Sequence, residues 1–200
     1  MNNLEKEILS KYPNWKGFLQ AQSPEQLLVN YDFVNNFSDI YSTSPITLKF
    51  ITELYKLPKS YAGFEYLERW LHFLNDFLNI NKGLQPNVIK QLSYMLYAKY
   101  SHFKLSDMKL LFNHILDSRY GTFYGSIDTQ RIVSSFYEYN LERKDAFLKI
   151  EAKIAEEEKK KQRERPAGLP DFDRFPNLKK YFTGNGNKDL VNDLVESKKA

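Results

Sequence analysis

The sequence contains no cysteine among its 200 residues, which excludes disulfide bonds, thiolate zinc sites and cysteine nucleophiles. Glycine and proline are scarce, at eight residues each, and this argues against a turn-rich all-β fold. No run of about 18 apolar residues is present, and the polar, acidic N-terminus does not resemble a signal peptide. We therefore expect a cytoplasmic protein without a membrane-spanning segment.

The residue types that carry most enzyme chemistry are also scarce or scattered. The three histidines, His72, His102 and His114, form no His-Glu-x-x-His motif and no i, i+4 pair, and no Gly-x-x-x-x-Gly-Lys-Ser/Thr loop is present. The acidic residues near predicted helix ends, Asp107, Asp117 and Asp128, are explained by capping. We expect a protein that is not an enzyme, with no catalytic residues, no metal and no cofactor.

Apolar residues recur at helical spacing along most of the chain, and useful strand-like alternation is missing. The pattern predicts an all-α fold, a compact bundle of six or seven helices with short connections. Residue pairs such as Ser23-Pro24 and Ser44-Pro45 have the order of an N-cap followed by proline at the first helical position. The predicted helices cover residues 4–12, about 24–40, a segment from Ser44-Pro45 to Leu57, 62–80, 86–100, a segment from Ser106 to Gly121, and a long helix after Asp128.

The last helix changes character along its length. An apolar seam runs to Ile154 in steps of three and four residues, interrupted by Arg143, and Glu/Lys-rich sequence follows. We expect a helical domain over residues 1–154. Residues 155–200 are expected to form a projecting charged extension of this helix and a flexible C-terminal tail.

The segment joining the last two predicted helices is rich in glycine and aromatic residues. Gly121 is expected to end one helix in a left-handed conformation, Gly125 to bend the chain and Asp128 to cap the next helix. The aromatic side chains either fill the core or stack on unpaired bases, beside arginines suited to phosphate. The candidate contact residues here are Arg119, Tyr120, Phe123, Tyr124 and Arg131.

Further candidate contacts follow toward the C-terminus. Arg143 needs a partner among apolar neighbours, either a carboxylate such as Asp117 or Asp128 or a bound protein. The basic residues of the charged extension either touch phosphates or belong to a solvated helix, and the aromatic residues of the tail are candidates for docking on a partner. These two sets are Lys159, Lys160, Lys161, Arg163 and Arg165, and Phe172, Phe175, Tyr181 and Phe182.

One sequence pattern resembles a known family. Arg119-Tyr120-Gly121-x-Phe123-Tyr124-Gly125-x-x-Asp128, followed by Tyr139-x-x-x-Arg143, is similar to the Lys/Arg-Tyr-Gly-x-x-Tyr-Gly-x-x-Asp turn of a family of small, functionally uncharacterised all-helical proteins. That family occurs in Bacteroidetes genomes, mobile elements and phages. The resemblance covers residues 45–145 and implies a helical fold, without naming an activity. A weaker likeness is to phage helicase-loader and replication-accessory proteins.

Two functions fit these observations. The first is a non-enzymatic accessory protein of a phage or mobile element, acting in DNA replication by contacting a helicase or single-stranded DNA. The alternative is a protein-interaction or virion-associated component that binds no nucleic acid, which would place the protein in the virion instead of the host cytoplasm. The net charge of +4 is compatible with both.

Overall fold

The computed structural model describes residues 3–58, 60–80 and 82–164. Within these ranges the regular structure is helical, which confirms the predicted all-α class. Nine helices lie in the described ranges: α1 Asn3–Lys11, α2 Trp15–Ala21, α3 Pro24–Asn30, α4 Phe37–Ser42, α5 Leu48–Leu54, α6 Ala62–Leu78, α7 Pro86–Tyr100, α8 Leu105–Leu116 and α9 Thr129–Glu164. None of them combines the length and apolar character that a membrane span requires.

The chain divides into two units, residues 1–150 and residues 151–200. The first holds α1 to α8 and the first 22 residues of α9, which are residues 129–150. In the second, α9 continues to Glu164, and the side chains of residues 151–163 are exposed. The predicted flexible tail, with Arg165 and the four docking aromatics, lies outside the described residues.

The core of the first unit combines aliphatic and aromatic side chains. On α6, residues spaced by three and four, including Leu67, Leu71 and Leu74, point inward and are fully buried. Trp70 packs against Phe112 of α8 with ring centroids 4.6 Å apart. These inward-facing residues form the packed face of α6.

Gly63 allows α5 and α6 to approach each other closely. A Cβ atom built at this position would lie 2.2 Å from the carbonyl oxygen of Leu48, which is far inside van der Waals contact. The Gly63 amide donates to Thr52 Oγ1 at 2.9 Å. Glycine is therefore required here by the close contact between the two helices.

The first part of the chain contains more helices than the sequence predicts. Trp15–Ala21 forms a separate helix, capped by Asn14, whose Oδ1 accepts from the Gly17 amide at 2.8 Å. The predicted helix over 24–40 begins as expected, with the Ser23 hydroxyl as its cap, and then divides. Asn36 starts a second helix with a capping box that it forms with Asp39.

Two predicted helix starts are wrong. α5 begins after Thr47, whose hydroxyl caps Phe50 N at 3.0 Å, and not at Ser44-Pro45. α8 begins at Leu105, so that Ser106 lies buried inside the first turn. The cause is tertiary, because the segment before α5 is hydrogen-bonded to the loop before α8: Leu48 N donates to Phe103 O at 2.9 Å and Leu105 N donates to Ile46 O at 3.0 Å.

Candidate functional site

The turn that joins α8 to α9, residues 117–128, begins with a tightly closed helix end. The Ser118 amide donates to Ile115 O at 3.1 Å, and the Arg119 amide donates to His114 O at 2.9 Å. Ser118 has a φ of 60°, the left-handed conformation that this pair of bonds requires. The predicted termination at Gly121 is therefore corrected, since α8 ends at Leu116 and Ser118 is its left-handed residue.

Tyr120 points into the protein. Its side chain is buried, and its hydroxyl lies 3.1 Å from His114 Nδ1 and 3.3 Å from Glu142 Oε2. Burial raises the pKa of Tyr120 well above its usual range, and the Glu142 charge adds to this effect. Burial also lowers the pKa of His114 to about 4, helped by the Arg119 charge. Both rings are therefore neutral near pH 7.

Two exposed arginine side chains stabilise the turn through an ion pair and a hydrogen bond. Arg119 Nη2 lies 2.9 Å from Glu142 Oε2, with about half of the arginine side chain exposed. Arg131 Nη1 donates to the carbonyl oxygen of Tyr120 at 3.0 Å. The Arg131 guanidinium occupies the space where a side chain at Gly121 would begin, because a Cβ there would lie 1.8 Å from Nη1. Gly121 has a φ of 102°, so the backbone conformation requires glycine, and a side chain there would displace Arg131.

The far end of the turn is fixed as well. The amide of the buried Ile127 donates to Lys82 O, in the connection between α6 and α7, at 3.1 Å. Asp128 Oδ1 accepts from the Gln130 amide at 2.8 Å, which confirms the predicted cap of α9. The turn is held at both ends by the helices that it joins and by the segment before α7.

The three turn aromatics differ in exposure. Tyr120 is 6% exposed and Tyr124 is 86% exposed, while Phe123 is half-buried and packs against the core. The sequence leaves open whether these rings face inward or outward. In the structure Tyr120 faces inward, Tyr124 faces outward and Phe123 lies between the two. Tyr124 is the aromatic side chain that the turn presents to solvent.

Arg143 belongs to a buried polar cluster. Its Nε donates to Asp107 Oδ1 at 2.7 Å, and Tyr139 OH donates to the same oxygen at 2.8 Å. Asp107 Oδ2 accepts from the Lys104 amide at 2.7 Å, which is the capping interaction of α8. The predicted pairing of Arg143 with Asp117 or Asp128 is wrong, because the apolar seam of α9 packs against the N-terminus of α8 and brings Arg143 to Asp107.

This cluster is buried. The Asp107 side chain is fully buried, and the Arg143 side chain is 11% exposed. The Arg143 guanidinium carbon lies 4.3 Å from the ring centroid of Phe147 and 5.6 Å from that of Phe103. Burial raises the pKa of Tyr139 well above its usual range, which keeps its hydroxyl a donor. Arg143 therefore offers little surface to a partner.

The remaining predicted contacts lie outside this region. Lys159, Lys160, Lys161 and Arg163 are exposed on α9 in the second unit, directly after the acidic run 156–158. Within the described residues, no three histidine, aspartate or glutamate side chains come together as a metal would require. The turn is anchored to the helices, and it exposes one aromatic ring, that of Tyr124, to solvent.

The sequence alone does not identify the partners of the predicted contact residues. Glu142 binds both Arg119 and Tyr120, and Asp107 was assigned only as a cap. The signal was present in the spacing, because Glu142 follows Tyr139 by three residues and so shares its side of α9. The sequence does not determine how α9 is positioned against α8, and this positioning decides which residues meet.

Comparison with known proteins finds a similarity over part of the chain. Residues 86–169 match the model of DUF6633, a family of unknown function. The matched segment covers fewer than half of the 200 residues and includes the turn, Asp107, Tyr139 and Arg143. Neither the curated proteins nor the solved structures that were searched contain a match.

Proposed function

We propose that this protein is a non-enzymatic accessory protein that binds a partner protein through the turn between α8 and α9. The resemblance described above suggests the setting of a phage or mobile element, and a replicative helicase is the first partner to test. The observation that carries the proposal is Tyr124, which is 86% exposed at the tip of a turn anchored at both ends.

The anchoring matters for affinity. Ordering a mobile loop on binding costs free energy, and a turn that is already held by Arg131, Glu142 and Ile127 avoids most of that cost. Tyrosine offers a large contact area with only two side-chain torsions, and it is enriched among the residues that dominate binding energy. A fixed, exposed tyrosine is suited to insertion into a pocket on a partner.

The charges around Tyr124 favour protein over nucleic acid. Arg119 is paired with Glu142, and Arg131 donates to the Tyr120 carbonyl, so both cations already have a partner within the protein. Sequence-independent binding of single strands uses several aromatic rings on which successive bases stack, each contributing about 1–3 kcal/mol. The turn presents a single exposed ring, which would hold one base.

Direct contact with single-stranded DNA is the second candidate, favoured by the exposed basic residues 159–161 and 163 of α9. These residues follow acidic residues at spacings of three and four, as Lys161 follows Glu157. The neighbouring negative charges weaken the positive potential of this segment. We therefore rank this candidate below protein binding.

A photo-crosslinking amino acid at position 124 tests the first candidate. The full chain carrying it would be mixed with the purified replicative helicase of the host, and in parallel with purified capsid proteins of the element. The control carries the same group at Tyr137, a second exposed tyrosine, which is 57% exposed on α9. We expect a crosslink to the helicase from position 124 and none from position 137.

Other outcomes are equally informative. A crosslink from position 124 to capsid proteins alone would contradict the replication role and support the virion-associated alternative. No crosslink to either would contradict binding through the turn. Fluorescence anisotropy with a labelled single-stranded oligonucleotide at about 50 and 200 mM salt measures the second candidate, which predicts salt-sensitive binding that is lost when the three lysines at 159–161 become glutamine.

A further inference from the structure

A groove with aromatic walls lies between α6 and α7, at the opposite end of α6 from the turn. It encloses about 540 Å³ and is completed by Leu19 of α2. Tyr61 and Tyr94 form its walls and are 53% and 61% exposed, and Phe64 lies between the helices and is buried. This groove belongs to the first unit and shares no residue with the turn.

The walls of the groove are held in place by the core behind them. The Tyr61 ring stacks on Tyr97, with centroids 6.0 Å apart and planes 19° apart, and Tyr97 OH donates to Thr52 Oγ1 at 2.8 Å. The Tyr94 ring meets Phe64 edge-on at 6.2 Å. The two exposed rings therefore offer faces to a ligand without needing to be ordered by it.

The groove is lined by two carboxylates and two cations, Arg69 and Lys90, so its formal charges balance. Two carboxylates of α6, Glu65 and Glu68, line it and are half-buried. Glu65 Oε2 accepts from the Trp15 indole nitrogen at 2.6 Å, whereas Glu68 forms no hydrogen bond or ion pair with any residue in the described part of the chain. A half-buried carboxylate without a partner favours a positively charged ligand.

Neither cation of the groove forms an ion pair with Glu68 within the described residues. Arg69 Nη2 lies 4.0 Å from Glu25 Oε1, so its charge is directed at another carboxylate. Lys90 is exposed on the rim contributed by α7. The acidic side of the groove is thus α6, and Lys90 lies across from it.

We propose that the groove between α6 and α7 binds an arginine side chain presented by a segment of a partner protein, with the guanidinium against the tyrosine faces and paired with Glu68. Aromatic faces attract cations, and the planar guanidinium both stacks on tyrosine and forms paired hydrogen bonds with a carboxylate. An acidic residue on the same segment would meet Lys90. Lysine lacks the planar geometry and is expected to bind more weakly.

The test uses a small probe and the full chain. N-acetyl-arginine methylamide would be titrated into the isotope-labelled protein while the ring signals of Tyr61 and Tyr94 are followed by NMR. The matched neutral compound is the citrulline derivative, which has the same shape without the charge. We expect saturating shifts at both rings with a dissociation constant on the order of millimolar, and about fivefold weaker binding of the citrulline compound.

Variants locate the charge that is recognised. Glu68→Gln is expected to weaken binding of the arginine compound about fivefold, whereas Glu53→Gln, an exposed acidic residue on α5, should leave it unchanged. Tyr94→Leu provides a second variant that should reduce the shifts if Glu68→Gln perturbs the fold. Equal binding of the two compounds, shifts outside the groove, or no saturation at about 50 mM would each overturn the proposal. Crosslinking at position 124 is unaffected by any of these results.

Discussion

Asp107→Asn is expected to lower the free energy of unfolding strongly, although it only replaces one carboxylate oxygen with an amide nitrogen. The wild-type carboxylate accepts three hydrogen bonds: Oδ1 from Arg143 Nε and Tyr139 OH, and Oδ2 from the Lys104 amide. Asparagine has nearly the same shape, but its amide nitrogen is a donor and its charge is zero. The variant therefore loses one acceptor and leaves the Arg143 guanidinium buried without a counter-ion.

The expected loss follows from burial. Asp107 has a fully buried side chain and Arg143 is 11% exposed, so breaking this pair is expected to cost about 3–5 kcal/mol in the free energy of unfolding. That is a large share of the roughly 5–15 kcal/mol that stabilises a typical domain. Arg143→Met should cost less, about 2–3 kcal/mol, because Asp107 keeps its bonds from Tyr139 and Lys104.

Urea unfolding monitored by tryptophan fluorescence measures these losses, with circular dichroism as a check on folding. The matched control is Lys149→Met, which breaks an exposed pair with Asp145 of similar length, 2.6 Å, and should cost no more than about 0.5 kcal/mol. The double variant of Asp107 and Arg143 should cost at least about 2 kcal/mol less than the sum of its parts. Additive losses, or an Asp107→Asn cost near that of the control, would refute the reasoning.

Three further predictions concern glycines and pH. Gly121→Ala should destabilise the protein by roughly 1–2 kcal/mol more than Gly125→Ala in urea unfolding, because the φ of 69° at Gly125 lies near the left-handed conformation that other residues can adopt, whereas the φ of 102° at Gly121 does not. The new Cβ would also displace Arg131 from the Tyr120 carbonyl. Equal losses would contradict this. Gly63→Ala should cost at least about 2 kcal/mol, because its Cβ meets a backbone oxygen that cannot move alone, and a neutral result would mean that α5 and α6 separate easily. The pKa of His114 falls from 6.5 to about 4 in the fold, so the unfolded chain takes up the proton first and stability should fall, by on the order of 1 kcal/mol, as the pH drops from 6.5 to 4. His114→Asn should flatten that part of the pH profile, and an unchanged slope would contradict the assignment.

The sequence predicted helices best where local signals act alone. α6 and α7 lie close to their predicted bounds because their apolar residues are regularly spaced, and α7 also begins with a proline. The helix predicted over 24–40 failed because Asn36 and Asp39 form a capping box within it, a local signal that apolar spacing had masked. The starts of α5 and α8 failed for a different reason, since the hydrogen bonds between these two segments override the caps.

The candidate site was predictable in its residues and not in its contacts. Gly121, Tyr124 and Asp128 stand out in the sequence by type and order. The sequence does not fix how α9 is rotated against α8, and this rotation decides that Tyr120 is buried and that Arg143 meets Asp107. The groove between α6 and α7 was missed because its residues are spread over three helices and form no local motif.

The rotation of α9 connects the buried cluster to the presentation of Tyr124. Glu142 and Arg143 are neighbours in sequence, so one faces Tyr120 and the other faces Asp107, about 100° apart around the helix. Sliding α9 by one residue would bring Glu142 toward Asp107, and two carboxylates in that buried space would repel each other strongly. The charge pair therefore selects one register, and that register places Glu142 where it holds the turn. Substitutions at Asp107 should then weaken partner binding at Tyr124 in proportion to the loss of this register, even though Asp107 lies out of reach of any partner.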